Sequence, residues 1–175
     1  MGKLEKIAVL GMGNALLKDE GIGIHLIRSL KDLPGLESVD LVDGGTSPEA
    51  VDLVRDADRL IVVDAAYGGG DPGSIYCLTP EQIINQKPSS IHELNVLHML
   101  WDLCIMGESP DITIIGIEPK ETDWGLNLSP ELEERLPRIT EFVLKTIREE
   151  WSPTGKPVVL LKYPSSPPAT PRLSA

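Results

Sequence analysis

Short apolar runs ending in glycine or aspartate alternate along this chain with longer stretches of helical spacing, and that alternation restricts its fold most. Residues 6–10 (KIAVL) run into Gly11, and a run this unbroken suits a strand buried on both faces of a parallel sheet. Residues 39–42, 59–64 (RLIVVD) and 111–117 (DITIIGI) repeat the pattern. After the glycine-rich loop 68–73, residues 74–78 make a short strand expected at an edge and antiparallel. Residues 21–33 carry Ile22, Leu26, Ile27 and Leu30 at helical spacing before Pro34-Gly35 stops them. Ser47-Pro48-Glu49 reads as a helix start, with Ser47 as N-cap and Pro48 at the first helical position, running to about Val54. Residues 92–106 and 130–151 supply the remaining helices. The expected fold is α/β, a three-layer sandwich with a twisted five-stranded, mostly parallel sheet flanked by helices on both faces. Ligands in such sheets lie beyond the carboxyl ends of the strands, where strand order reverses. The loops after the first and third strands are therefore the first places to look for chemistry.

A chain of 175 residues is the size of one domain, expected here over residues 1–151. Residues 152–175 carry six prolines and several serines and read as an extended or disordered tail. The net charge of −11 argues against nucleic acid and against an anionic membrane surface, since both require a basic face. No segment approaches the roughly 20 apolar residues of a membrane span, and the apolar run after Lys6 breaks too early for a secretory signal. Cys77 and Cys104 form no C-x-x-C pair, so both are expected as buried small hydrophobes of a cytoplasmic protein. A monomer is expected.

The first strand exits into Gly11-Met12-Gly13-Asn14-Ala15-Leu16, which begins as a dinucleotide fingerprint but has Leu16 where the third glycine belongs. Asp19-Glu20 at the following helix start would also repel a pyrophosphate. Asp19 is expected to cap that helix. Glu20 lies in its first turn, where the helix dipole alone would favour an acid. Asp64 ends the most apolar strand, and an aspartate there is costly unless it caps, pairs or binds metal. Of the three histidines, His92 opens a helix, whereas His25 and His98 sit inside helical stretches as satisfied helix residues. His98 follows His92 by six positions, roughly 240° around a helix, so the two share no metal face. Glu20, Asp64 and His92, from three separate loops, make a donor set suited to a divalent metal.

These residues resemble the hydrogenase maturation endopeptidases over about residues 5–150. The motifs are Gly11 to Gly23 with its acidic pair, Asp43-Gly44-Gly45-Thr46, the strand ending Asp64-Ala65 with Pro72-Gly73 beyond it, Ser89-Ser90-Ile91-His92, Ile115-Gly116-Ile117-Glu118-Pro119, and Leu128-Ser129-Pro130. Singly they are weak; their order and spacing are specific. The resemblance implies that Glu20, Asp64 and His92 occupy the family's catalytic metal-ligand positions and that Asp43, Gly44, Gly45 and Thr46 form its substrate-recognition loop. It further implies nickel, supplied by the substrate, and a metal-assisted endopeptidase that removes a C-terminal extension from the precursor of a [NiFe]-hydrogenase large subunit. A nickel-binding escort that does not cut would use the same residues.

Overall fold

The computed structural model describes residues 5–78, 80 and 110–148. Five strands, β1 (Ile7–Met12), β2 (Val39–Gly45), β3 (Arg59–Ala65), β4 (Ile75–Leu78) and β5 (Asp111–Ile117), join in one sheet of order β2-β1-β3-β5-β4. Pairs β1–β2, β1–β3 and β3–β5 are parallel, and only the edge strand β4 runs antiparallel, against β5. The edge position and direction expected of β4 are both found. Strand order reverses around β1, so the crevice of a doubly wound sheet falls at the carboxyl ends of β1 and β3.

Strand periodicity divides the core in two. Val9, Ile61, Val63, Ile115 and Ile117 face one layer, formed by helix α1 (Ile22–Lys31) and helix α2 (Pro130–Ile147). Leu26, Ile27, Leu30, Leu132 and Val143 of those helices pack there with almost no exposure. Ala8, Leu10, Leu60, Val62 and Ile114 face the other way, against Ala50, Val51 and Val54. Full burial of an aliphatic side chain contributes about 1.5–3 kcal/mol, so the double burial of β1 and β3 is a large share of what holds the sheet together.

Helix ends differ from expectation in instructive ways. Helix α1 stops at Lys31, two residues early, because Pro34 disfavours a helical conformation at Leu33. The stretch after Ser47 is a 3-10 turn, Pro48–Leu53, and Ser47 caps nothing. Its hydroxyl donates instead to the Glu49 carboxylate at 2.9 Å. In α2 the expected start holds: Ser129 Oγ accepts the N–H of Leu132, and Pro130 takes the first position, where no N–H is missed. Cys77 is buried as expected, and burial pushes its thiol up to about 12. No helix among the described residues is long and apolar enough to cross a membrane. The expected helix 92–106, with His92, His98 and Cys104, and the tail 152–175 lie outside the described residues.

Candidate active site

The glycines of the first loop exist to bring backbone against backbone. Gly13 has φ +129°, and a Cβ there would lie 1.8 Å from the carbonyl oxygen of Glu20. Its N–H donates to Gly45 O at 2.9 Å, tying the exit of β1 to that of β2. Asn14 closes the loop twice: its N–H donates to Glu20 O at 3.2 Å, and its Oδ1 accepts the N–H of Leu16 at 3.0 Å. The packing glycine absent at Leu16 is supplied further on by Gly23, whose Cβ would meet Met12 O at 2.3 Å and Val63 O at 2.4 Å. The first turn of α1 therefore sits directly on the ends of β1 and β3.

Just before α1, residues Lys18–Gly21 form a 3-10 turn that carries the acidic pair. Asp19 does not cap α1, whose N-cap is Gly21 with no side-chain bond. It points instead into the protein, fully buried, and accepts four hydrogen bonds. Ser129 N–H reaches Oδ1 at 2.7 Å, while Ser129 Oγ–H, Lys120 N–H and Glu121 N–H reach Oδ2 at 2.8, 2.9 and 2.8 Å. The capping expectation fails because those donors satisfy the carboxylate better than one helix N–H could. Glu20 lies in this same turn, two residues before the helix in which it was expected, and is partly buried. Lys18, at φ +42°, pairs with Glu121 at 2.5 Å and Asp123 at 3.1 Å, and these bonds hold its ammonium above the ordinary lysine value.

Asp64 is the penultimate residue of β3, in register with Gly116 of β5 and in phase with Leu60 and Val62. One carboxylate oxygen accepts the N–H of Ala65 at 2.8 Å. Beyond it, the glycine loop is organised by a residue whose role composition and spacing left unread. Glu118, directly after β5, is 7% exposed and accepts the N–H groups of Gly68 (2.7 Å) and Gly70 (3.3 Å) and the hydroxyl of Tyr76. Burial and then this bond to Glu118 push the Tyr76 phenol up to about 12. The signal was available: an acid ending an apolar strand needs a partner, the argument that singled out Asp64.

Asp43, Gly44 and Gly45 are the last residues of β2 rather than a loop beyond it. Asp43 Oδ1 accepts the N–H of Gly45 at 3.1 Å, and Gly45 takes φ +54°. Gly44 turns inward, where a Cβ would meet Met12 Sδ at 2.6 Å, and leaves Asp43 and Thr46 exposed at the rim. Glu20, Asp64 and Asp43–Thr46 thus share the carboxyl edge of the sheet. Two partly buried carboxylates there have the oxygen chemistry a hard or borderline divalent ion takes. His92, the third expected ligand, lies outside the described residues, and no group of three or more such donors occurs among those described.

A family model described as hydrogenase maturation protease matches residues 24–146. The chain belongs to the hydrogenase maturation protease family. It is accordingly a peptidase, as its motifs implied. The hydrogenase 2 maturation protease of Escherichia coli (strain K12) is 32% identical over 152 residues, spanning 82% of this chain and 92% of that one. The hydrogenase expression/formation protein HupD of Thiocapsa roseopersicina is 33% identical over 151 residues, 82% of this chain and 68% of its own. Among solved structures, the hydrogenase maturating endopeptidase HybD from E. coli superposes with a TM-score of 0.72 at 32% identity, covering 83% of this chain and 93% of that one. The maturation-protease fold is thus shared across nearly the whole of a relative's length.

Proposed function

We propose that this protease removes a C-terminal extension from a nickel-loaded [NiFe]-hydrogenase large-subunit precursor, with Glu20, Asp64 and His92 meeting the nickel that the substrate brings. The carrying observation is that a member of this family holds Glu20 and Asp64 in the exits of neighbouring parallel strands, at the crevice where such sheets bind ligands. A divalent ion in that position would polarise the scissile carbonyl or lower the pKa of an attacking water. The chain's own residues do the rest. Glu20 and Asp64 supply charge and oxygen donors, and their partial burial strengthens both toward a cation. Asp43 and Thr46, exposed at the rim, are the groups placed to contact the substrate polypeptide. Requiring the substrate's metal would make cleavage conditional on a loaded precursor. The reaction runs in the cytoplasm on this reading, with the protease acting as a monomer.

The test is the intact mass of the cognate precursor after incubation with this protein, with and without nickel loaded. Loss of a C-terminal peptide from the loaded precursor alone is the expected result. Binding without any mass change in either sample would replace the protease reading with that of a non-cutting escort.

A further inference from the structure

We infer that the connection between β5 and α2, residues 118–129, sets the positions of Glu20 and Asp64, with Asp19 and Glu118 as its positioning residues. This rests on the proposal that Glu20 and Asp64 are nickel ligands. The connection belongs to neither the sheet nor the helices, yet it holds both ligand loops at once. At its start, Glu118 gathers Gly68 N–H and Gly70 N–H, in the loop that leaves β3 just after Asp64. That loop is pinned on its near side by Ala66 N–H to Ile117 O at 2.9 Å. Two residues past Glu118, Lys120 N–H begins the set of donors on Asp19, which Ser129 completes at the start of α2.

Backbone rungs join the same two segments. Lys18 N–H donates to Gly125 O at 2.9 Å, Gly125 N–H to Leu16 O at 2.9 Å, and Asp19 N–H to Glu121 O at 3.0 Å. Asp19, fully buried with both oxygens occupied, is committed to the protein interior. In a 3-10 turn adjacent side chains diverge by about 120°, so anchoring Asp19 inward fixes the direction in which Glu20 leaves the backbone. One segment thereby references the two carboxylates to each other, as outer residues do for metal ligands elsewhere.

The experiment uses the full chain and nickel(II) ions, titrated under NMR observation so that paramagnetic broadening reports even weak binding, at a temperature where circular dichroism shows each variant folded. Asp19→Asn sets an NH2 group against either the one donor on Oδ1 or the three on Oδ2, and Glu118→Gln weakens the acceptor for Gly68 and Gly70. Each is expected to weaken nickel binding about tenfold. That loss should shrink to less than about twofold for Asp19→Asn in a Glu20→Gln background, and for Glu118→Gln in an Asp64→Asn background, because the partner through which it acts is gone. A lower melting temperature with unchanged nickel affinity would overturn the positioning role, as would equal losses in both backgrounds. Glu20→Gln and Asp64→Asn leaving nickel binding intact would instead overturn the ligand assignment. If Asp19→Asn does not fold, Ser129→Ala, which removes one donor from Asp19, enters the same cycle with a smaller expected loss, and additivity there counts against the inference.

Discussion

Gly23 and Val63 are packed so closely that a Cβ on the glycine would lie 2.4 Å from the valine's carbonyl oxygen. The Met12 carbonyl blocks the same methyl at 2.3 Å. Both obstacles are backbone in central strands, so neither can swing aside. Gly23→Ala is expected to destabilise the fold by about 1–3 kcal/mol and to push the preceding turn, with Glu20, off the sheet edge. Urea unfolding measures the first effect. A loss of processing beyond what the unfolded fraction explains measures the second.

Asp64→Asn and His92→Ala are each expected to abolish processing while the circular dichroism spectrum stays that of the parent. Asparagine keeps the size of Asp64 and an oxygen for the Ala65 N–H, so the charge is what the first variant removes. Normal precursor cleavage by either variant takes that residue out of the ligand set.

His25 predicts an acid sensitivity. Burial, assisted by the charge of Arg28, holds its imidazole below the ordinary value of 6.5, and its Nε2 is buried with no hydrogen-bond partner among the described residues. The unfolded chain therefore takes up this proton first as pH falls. Stability contributed by neutral His25 is present above pH 6.5 and is lost as pH drops toward the folded value. The melting temperature of the parent should fall relative to His25→Gln between about pH 7 and pH 5. Parallel melting curves across that range would exclude it.

Tyr76 predicts the converse at alkaline pH. The unfolded phenol ionises near 10.0 and the folded one at about 12, so between these the unfolded state has lost a proton that the folded state keeps. Stability from this group is lost as pH rises through that window. Near-ultraviolet absorbance should show a late phenol ionisation in the folded parent that Tyr76→Phe removes. Early ionisation of all three tyrosines would contradict the bond to Glu118.

Sheet and order of elements were legible because a strand buried on both faces needs an apolar run, and residues 7–10, 60–63 and 114–117 are apolar or glycine throughout. The residues at the carboxyl edge were legible for a related reason: Asp64 is conspicuous where polarity is expensive. What stayed hidden depended on contacts between distant segments. Asp19 looked like a helix cap because local spacing permits one, whereas its donors lie at residues 120, 121 and 129. Gly23 as the packing glycine was hidden because the fingerprint expects that residue sooner, before a 3-10 turn that spacing does not announce. The 3-10 character of Pro48–Leu53 escaped for want of any sequence signal that separates it from a short α-helix.

The donors that fix Asp19 also set when in synthesis its contacts can form. The turn bearing Glu20 is among the first parts of the chain to leave the ribosome, but the N–H and hydroxyl groups that seat its neighbour arrive more than a hundred residues later, the last of them at Ser129. A nascent chain that has made β1, β2 and β3 holds both described carboxylates and still lacks the means to orient one of them. With Glu20 as a proposed ligand, the site this chain offers its substrate would be complete only after synthesis has reached the start of α2.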